Sequence, residues 1–393
     1  MTCRLAVIGA GSRMTGFLAE IGRLRLGATV VAVADPVGEE VRSRFAATPD
    51  VPVDGDLRIF SEVDEMLEHA EGYDGVLVGT RCSLHTPMAV KVAATGLPLF
   101  LEKPVATSWE QLRGLAAAFA HRPDSVVVSF PLRTTPLFQR VLEEVRSGRI
   151  GVVNQVQAYN YVPYGGVYFG HWYRDHDETG GLFLQKATHD FDYISLLLDS
   201  RPEAVAATTT QKVYGGTMPD IMCSQCDRTA TCPESPENVA ARGGELGGMM
   251  YGDHWCAFSA SVRHEDAGSA LLLYPDGTHA VYNQNFLTRR SAGRRGAVIT
   301  GYLGTIRFDW WDEKLTVIEH HGTAVDEIEV KAGGDHAGGD VELARMFLEV
   351  VAGGPSRSTL ADGIASAAAC LAARDSSTTR TFERVPDLWP ATR

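Results

Sequence analysis

Two stretches of the chain carry side chains that can move or stabilise a proton. Lys103 follows Glu102 in a Glu-Lys-Pro tripeptide at the end of the apolar run LPLFL. His189 lies in GGLFLQKATHDFDYISLLL, residues 180–198, which also contains Lys186. Lysine and histidine are residue types that exchange a proton with a hydroxyl group or hydrogen-bond a developing oxyanion. Burying a charged pair is costly unless other groups pair with it, so the Glu-Lys pair predicts a functional site at the end of that strand.

A glycine-rich turn near the N-terminus predicts a dinucleotide site. In AVIGAGSRMTGFL, Gly9 and Gly11 stand between a strand and a helix, where missing side chains let the backbone approach a pyrophosphate. The next strand ends in Asp35, 24 residues after Gly11, where a carboxylate can accept from the adenosine ribose. Both features together favour dinucleotide binding over a plain tight turn. The loop residues expected at the cofactor are Gly9, Gly11, Ser12, Arg13 and Met14.

The same segment predicts which dinucleotide binds. Asp35 would repel a 2′-phosphate, so NAD is favoured over NADP, although Arg13 in the loop argues in the other direction. Met14 stands where a third glycine is usual, with Gly16 two residues later.

Two further strand ends are expected to border the cofactor. The run VGTRCSLHTP places Thr80 and His85 after a strand and before a helix, with a helix-capping role as the alternative for His85. At the next strand end, Glu102 either holds Lys103 or meets the cofactor.

The pattern of apolar runs predicts an α/β protein of two domains. In residues 1–130 five short apolar runs alternate with helical segments, which indicates a doubly wound parallel Rossmann sheet. Residues 131–393 carry longer strands, 254–262 among them, joined by hairpin signals such as Asp276-Gly277, which predicts an α+β domain with an open, mainly antiparallel sheet. Helices over 181–199 and 340–352 are expected on one face of it. A Cys-containing insertion is expected near 212–251.

Composition narrows the class of partner. The net charge is −13 without a basic cluster, which argues against nucleic acid, and no run approaches the roughly twenty apolar residues of a membrane helix. The N-terminus lacks a secretory pattern, and the seven cysteines do not resemble a disulfide framework. A cytoplasmic protein with a small-molecule partner is expected.

Taken together, the glycine-rich turn, Asp35, Glu102-Lys103-Pro104 and the Gly-Gly segment at 180–198 resemble the Gfo/Idh/MocA oxidoreductase family. The resemblance covers most of the chain and implies that His189 is the general base while Lys103 hydrogen-bonds the same substrate oxygen. Gly180, Gly181, His189 and Asp192 match the second family motif, but Gln185 replaces its usual aspartate. Lys186 could replace the lost polar role or pair with Asp192.

Several side chains are candidates for substrate contact. Gln185, His189 and Asp192 are spaced by one helical turn, which would present all three on one face. Trp172 and Arg174 match a Trp-Arg segment of the family, with a buried aromatic and a surface salt bridge as the alternative. The remaining candidates are Tyr164, Tyr168, His171 and, before the last long helix, His336; any of the aromatic residues could instead belong to the core.

Three clustered cysteines have two interpretations. Cys223, Cys226 and Cys232 suit a structural zinc ion if a fourth ligand exists, for which Cys256 and His254 are candidates. The alternative is an insertion with reduced thiols. No catalytic metal is expected, because hydride transfer to nicotinamide needs none.

The sequence therefore predicts an NAD-dependent dehydrogenase acting on a ring hydroxyl of a sugar, glycoside or cyclitol, assembled as a homodimer or homotetramer. Two alternatives stay open. One is a redox-neutral glycosidase, epimerase or lyase of the same family, which returns the hydride to its substrate. The other is a dinucleotide-sensing regulator that has lost catalysis.

Overall fold

A computed structural model describes residues 2–241, 252–331, 333 and 335–389. The insertion expected near 212–251 therefore lies partly outside the described residues. In the part of the chain that is described, no helix has the length and apolar character needed to cross a membrane.

Six parallel strands alternate with helices in the first third of the chain. The strands are β1 (Cys3–Ile8), β2 (Ala28–Ala34), β3 (Val53–Phe60), β4 (Gly75–Val78), β5 (Leu99–Leu101) and β6 (Val126–Val128). The helices are α1 (Ser12–Arg23), α2 (Gly38–Ala46), α3 (Val63–Leu67), α4 (His85–Thr95) and α5 (Trp109–Ala118). The strand order β3-β2-β1-β4-β5-β6 reverses between β1 and β4, and ligands bind at such a point beyond the carboxyl ends of the strands.

Burial explains which strands the sequence predicts. β4, β5 and β6 are buried along their whole length, and a strand covered on both faces has a nearly continuous apolar run. β3, with the sequence VDGDLRIF, was not predicted. It is an edge strand with no fully buried residue, so its composition is polar.

The rest of the chain builds a second sheet of nine strands. Its strands are β7 (Val153–Tyr161), β8 (Ala204–Thr210), β9 (Ala267–Leu273), β10 (His279–Asn285), β11 (Arg294–Gly301), β12 (Gly304–Asp309), β13 (Lys314–Glu319), β14 (Val325–Glu329) and β15 (Glu383–Arg384). They lie in the order β14-β13-β12-β11-β7-β10-β9-β8-β15. All neighbours are antiparallel except β7 and β10, so the predicted mainly antiparallel sheet is confirmed.

The helices of this part are α6 (Pro131–Thr134), α7 (Pro136–Arg146), α8 (Val167–Gly170), α9 (His176–Thr179), α10 (Thr188–Leu198), α11 (Pro236–Ala241), α12 (Gly339–Val351) and α13 (Leu360–Thr379). A five-residue π-helix, Phe183–Ala187, runs directly into α10, so the helix predicted over 181–199 is confirmed with an unusual first turn. α13 packs along β8 and α10, and residues of both helices share one core with the sheet.

Two expectations about this half are wrong. α12 does not pack on the antiparallel sheet: its apolar face, including Leu343 and Phe347, shares a core with α1 and the Rossmann sheet, where Phe347 contacts Phe100. The strand expected at 254–262 forms only isolated bridges, because its backbone pairs with single residues such as Ile221 and Gly170 rather than with a ladder.

A buried ion pair ties α6 to α10 and α13. The Arg133 guanidinium donates to both oxygens of Asp192, at 3.0 and 2.6 Å, and to Asp362 at the start of α13, at 2.9 Å. The side chains of Arg133 and Asp192 are 5% and 2% exposed, so neither charge has water as an alternative partner. Burial raises the pKa of Asp192 to about 7 even though Arg133 opposes that rise.

Removing the arginine should therefore destabilise the protein more than removing an exposed one. We expect Arg133→Leu to lower the free energy of unfolding by about 3–5 kcal/mol, because Asp192 is left buried without a counter-charge. The exposed Arg146 on α7 is the matched control, and Arg146→Leu should change stability by about 0.5 kcal/mol or less. Urea denaturation measures both, and equal losses for the two variants would contradict this role of Arg133.

Candidate active site

The glycine-rich turn joins β1 to α1 beneath an open space. Gly9 has φ +80, and a Cβ there would lie 2.8 Å from Thr80, so only glycine fits without strain. Gly11, the N-cap of α1, has no atom near the position of its missing Cβ, so its open side faces the crevice. Met14, at the position of the usual third glycine, is buried against Gly79, which itself leaves room for it.

Asp35 lies at the end of β2 beside this turn, as the sequence predicts. Its carboxylate accepts hydrogen bonds from the Ala10 amide at 2.9 Å and from the Val37 amide at 3.1 Å. Arg44 of α2 also contacts the turn, donating to the Ala10 carbonyl. Asp35 therefore holds the shape of the turn from the side on which an adenosine ribose would lie.

The side chain of Arg13 is engaged with protein carboxylates. It donates to Glu102 at 2.9 Å and forms two bonds of 2.7 Å to Asp340 of α12. Ser129 also donates to Glu102, at 2.9 Å. Burial raises the pKa of Asp340, but Arg13 and His336 outweigh it and hold the carboxyl well below its usual range. Arg13 is thus occupied in an ion pair, which weakens the argument that it would attract a 2′-phosphate.

Thr80 and His85 border the turn from β4. Thr80 lies against Gly9, whereas His85 is 2% exposed and bridges two strand ends, with its ring nitrogens 2.8 Å from the Pro104 carbonyl and 3.1 Å from the Thr80 carbonyl. Burial lowers the pKa of His85. His85 therefore lies between the loops after β4 and β5, and its neutral ring donates a hydrogen bond to one of these two carbonyls while contacting the other. This is a structural contact rather than a side chain directed at the crevice.

Lys103 extends from the end of β5 towards the second sheet. Its Nζ donates to the Gln185 carbonyl in the π-helix at 2.9 Å, and the Lys103–Pro104 bond is cis. Burial, and then the charge of Lys186, lower the pKa of Lys103 to about 8. The Glu-Lys pair is thus divided: Glu102 faces Arg13, while the lysine faces the second domain.

The π-helix places Gln185 and Lys186 beside Lys103. Gln185 Oε1 accepts from the Cys82 thiol at 3.3 Å, and Lys186 Nζ donates to the Tyr164 hydroxyl while lying 4.5 Å from the centre of its ring. Lys186 does not pair with Asp192. Burial, and then Arg295, lower the pKa of Lys186 to about 7, so its amine exchanges a proton near neutrality.

His189, at the start of α10, lies in the same cluster. It is 6% exposed, and its Nδ1 is buried without a hydrogen-bond partner among the described atoms. Burial, and then the charges of Lys103 and Arg295, hold the pKa of His189 well below its usual range, so the ring is neutral and able to accept a proton. His336 lies 6.5 Å from it, centroid to centroid, and binds Asp340 at 2.9 Å.

Other expected substrate residues lie elsewhere. The Asp192 carboxylate is held by Arg133, whose guanidinium lies 5.8 Å from the centre of the Phe130 ring, so Asp192 is not available beside Gln185 and His189. Arg174 binds Asp220 at 2.7 Å and Ser259 at 2.8 Å in the inserted segment, so its guanidinium is used there.

The aromatic candidates remain near the cluster. Trp172 stacks on Tyr173 at 3.8 Å and lies under the Arg81 guanidinium. Tyr168 is 5% exposed and packs on Phe286, as the alternative of a core residue predicts.

Three residues near the cluster were not anticipated. Arg295 of β11 forms a bidentate pair with the fully buried Asp190, at 2.9 and 2.8 Å, and its charge acts on Lys186 and His189. Cys82 touches Gln185, and burial raises its pKa to about 12. Arg81 covers Trp172. Arg81 and Cys82 had a signal in the sequence, their place in the loop after a strand end, whereas Arg295 had none.

Comparison with known proteins adds the family. The model described as "Oxidoreductase family, NAD-binding Rossmann fold" matches residues 3–130, and the model described as "GFO/IDH/MocA C-terminal domain" matches residues 138–307.

Individual relatives agree with that match. A "Putative oxidoreductase YteT" of Bacillus subtilis is 32% identical over 40% of this chain and 37% of its own length. An "Inositol 2-dehydrogenase" of Rhizobium meliloti is 28% identical over 53% of this chain and 58% of its own length. The chain thus spans roughly half the length of these relatives.

Solved structures share the fold over the whole chain. A levoglucosan dehydrogenase in complex with NADH and levoglucosan superposes with a TM-score of 0.77 at 16% identity, covering 98% of this chain and 100% of the other. Because the models of both family domains match in order and together cover more than half of the chain, the chain belongs to the Gfo/Idh/MocA oxidoreductase family, whose first domain has an NAD-binding Rossmann fold.

Proposed function

We propose that this dehydrogenase transfers hydride between a ring hydroxyl of a sugar, glycoside or cyclitol and the nicotinamide of NAD. The observation that carries the proposal is the cluster of Lys103, Lys186 and His189, three buried basic groups between the Rossmann crevice and the second sheet. A neutral histidine with an unpartnered nitrogen and a lysine ammonium beside it are the two groups that oxidation of an alcohol requires.

The residues of the first domain fit NAD. The tight turn at Gly9, the open side of Gly11 and the first turn of α1 form a cradle for a pyrophosphate. A side chain at Gly11 would extend into that space, whereas one at Gly9 would collide with Thr80 and distort the turn. Asp35 lies where it favours NAD over NADP, and Arg13 is already neutralised by two carboxylates. When bound there, NAD supplies the hydride acceptor.

The chain's own side chains then handle the proton and the oxygen. His189 takes the hydroxyl proton, since burial and its cationic neighbours keep it neutral. Lys103, as an ammonium, hydrogen-bonds the same oxygen and stabilises its developing negative charge. Lys186, held by Tyr164, keeps the site positive and lowers the pKa of Lys103.

The proposed substrate class follows from the polar and aromatic lining. Tyr164 offers an aromatic ring with a hydroxyl, Trp172 an indole edge and Gln185 an amide, which suit hydroxyl-rich rings. His336, beside His189, offers a further hydrogen bond. One named relative is an inositol 2-dehydrogenase, and one similar structure is a levoglucosan dehydrogenase in complex with levoglucosan, which agrees with this class.

One alternative is favoured by a specific residue. The amide of Gln185 replaces the carboxylate usual in the family motif, so the site around His189 is more positive than expected. A redox-neutral glycosidase, epimerase or lyase, in which reduced cofactor stays bound and returns its hydride, remains the second candidate. The regulatory alternative is weakened by retention of both Lys103 and His189. The homodimer or homotetramer, the cytoplasmic location and the domain boundary at residue 130 stay predictions.

The proposed function is tested by following NADH over many turnovers. With excess NAD and a panel of sugars, glycosides and cyclitols, we expect NADH to accumulate well beyond one equivalent per chain. His189→Asn should lower kcat about 10²–10⁴-fold, because the general base is lost. The control is His279→Asn on β10, which should leave kcat unchanged. Sugar conversion with reduction limited to bound cofactor would establish the redox-neutral alternative instead.

The pH profile tests the coupling of the two lysines. If the Lys103 ammonium is required, kcat/KM falls as pH rises through about 8, where that proton is lost. Lys186→Met removes a positive charge and should move this alkaline limb to higher pH. Lys186→Arg keeps the charge at all pH values and should move the limb to lower pH. If the alkaline limb of the kcat/KM profile lay at the same pH in both variants, the ionisation of Lys103 would not be its cause.

Alanine substitutions at Gly9 and Gly11 distinguish the effect of strain in the turn from the effect of blocking the cofactor. Gly9→Ala should lower protein stability by roughly 1–2 kcal/mol, because alanine is strained at positive φ, and should also weaken NAD binding. Gly11→Ala has ordinary backbone angles and no protein neighbour, so stability should hold while NAD affinity falls. Thermal unfolding without NAD and titration calorimetry with NAD distinguish these effects. If Gly11→Ala bound NAD as tightly as the native protein, the turn would not be part of the cofactor site.

A further inference from the structure

The inserted segment brings four of the seven cysteines around one small cavity. The cavity has a volume of about 20 Å³, room for roughly one water-sized sphere. Its lining includes the four cysteines Cys223, Cys226, Cys232 and Cys256. All seven cysteines of the chain are free, so these thiols are not joined in disulfides. A space of this size among four sulfur atoms suits a single ion.

The backbone around the first three cysteines is a compact turn. Cys223 opens a 3-10 turn, and the Cys226 amide donates back to the Cys223 carbonyl at 3.0 Å. The Arg228 amide donates to Cys226 Sγ at 3.5 Å, and the Cys232 amide donates to the Arg228 carbonyl at 2.9 Å. A backbone amide directed at a cysteine sulfur is the kind of supporting hydrogen bond that orients ligands around a metal ion.

The structure decides between the two candidates for a fourth ligand. His254 also lines the cavity, with both ring nitrogens 3.8 Å from Cys223 Sγ. Its nitrogens, however, are directed at backbone carbonyls, that of Trp255 at 2.8 Å and that of Glu234 at 2.9 Å, so the ring would have to turn away from them to bind an ion. Met222 pairs with Trp255 in an antiparallel bridge, and the Cys256 amide donates to the Ile221 carbonyl at 2.9 Å. This bridge holds Cys256 at the cavity beside Cys223, which favours Cys256 as the fourth ligand.

We propose that Cys223, Cys226, Cys232 and Cys256 bind one structural zinc ion as a tetrahedral set of four thiolates. The C-x-x-C turn followed by two more distant cysteines is a spacing that zinc sites use. As the described side chains stand, no three potential ligands converge on one point, so binding requires the thiols to rotate about χ1 onto the ion. Four thiol protons are released as the four Zn–S bonds form, which leaves a site of net charge two minus.

The position of the cluster gives the ion a structural role. The inserted segment packs on α8 and the turn after it: the Trp255 amide donates to the Gly170 carbonyl at 2.9 Å, and Arg174 binds Asp220. Tyr168 lies on α8, and Trp172 lies in the turn after it. A zinc ion would therefore stabilise the wall of the proposed substrate site. This effect on substrate binding rests on the proposed function, whereas the metal site itself does not.

Metal analysis of the native protein tests the site directly. Protein purified through gel filtration with a chelator in the buffer should retain about one zinc per chain. Growth in cobalt in place of zinc should give the intense charge-transfer and d–d bands of tetrahedral cobalt thiolate. A metal-free protein, a disulfide among these cysteines, or bound iron in place of zinc would overturn the proposal. Neither measurement depends on activity or on a variant that must fold.

Variants locate the ligands. Cys226→Ser and Cys256→Ser should each lower zinc content at least tenfold, while Cys3→Ser, outside the cluster, should retain one equivalent. His254→Asn should also retain it, because the histidine is not a ligand. Full zinc content in Cys256→Ser would overturn the proposal.

The link to substrate binding has its own readout. In zinc-depleted protein that keeps its NAD affinity, KM for the substrate should rise while the NADH product is unchanged. Retained zinc with no dehydrogenase activity on any substrate would count against the proposed function and leave the metal site standing.

Discussion

The carboxylate of Glu102 is the contact on which the geometry of the site depends. It lies at the end of β5 and receives Arg13 from the cofactor loop and Ser129 from the end of β6, while Arg13 continues to Asp340 at the start of α12. One ion network therefore joins the turn that would hold the pyrophosphate to the start of α12, directly after the short turn that carries His336. Because Glu102 forms its ion pair with Arg13, the neighbouring Lys103 is free to extend towards the second domain.

Among the described residues of the second domain, no carboxylate forms a salt bridge with Lys103. Lys103, Lys186 and His189 are buried near Arg295, whose own counter-charge is Asp190. Burial and repulsion by the neighbouring positive charges both lower the pKa values of the two lysines, which fall towards neutrality. A carboxylate at the position of Gln185 would have neutralised part of this charge. The amide makes the pocket a more strongly positive one, which favours an oxyanion and disfavours protonation of His189.

Much of this arrangement could be predicted from the sequence. Runs such as VLVG and LPLFLEKP mark buried parallel strands, and their ends carry Thr80 and Lys103 where a Rossmann crevice requires polar residues. The predictions failed where burial follows from tertiary contacts. β3 is an exposed edge without an apolar run, and the apolar face of α12 gave no indication of which sheet it would cover. Asp192 matched a family motif by spacing, but spacing does not reveal that Arg133, 59 residues earlier, holds its carboxylate.

The π-helix explains a further difference between pattern and structure. Residues 183–187 are wound more widely than an α-helix, so α-helical spacing does not describe where Gln185 lies relative to His189. There the Gln185 carbonyl accepts from Lys103, and its side chain accepts from Cys82. His189 and Asp192 are one turn apart in the regular helix α10, but the Asp192 carboxylate is held by Arg133.

The return of α12 to the Rossmann sheet has a consequence for how the chain can be divided. Leu343 and Phe347 fill a groove between α1 and the strands, so a fragment ending at residue 130 would expose that groove to water and lose the Asp340 partner of Arg13. The nucleotide-binding half is therefore completed by a helix synthesised some 200 residues later, and it reaches its final packing only after most of the chain has left the ribosome.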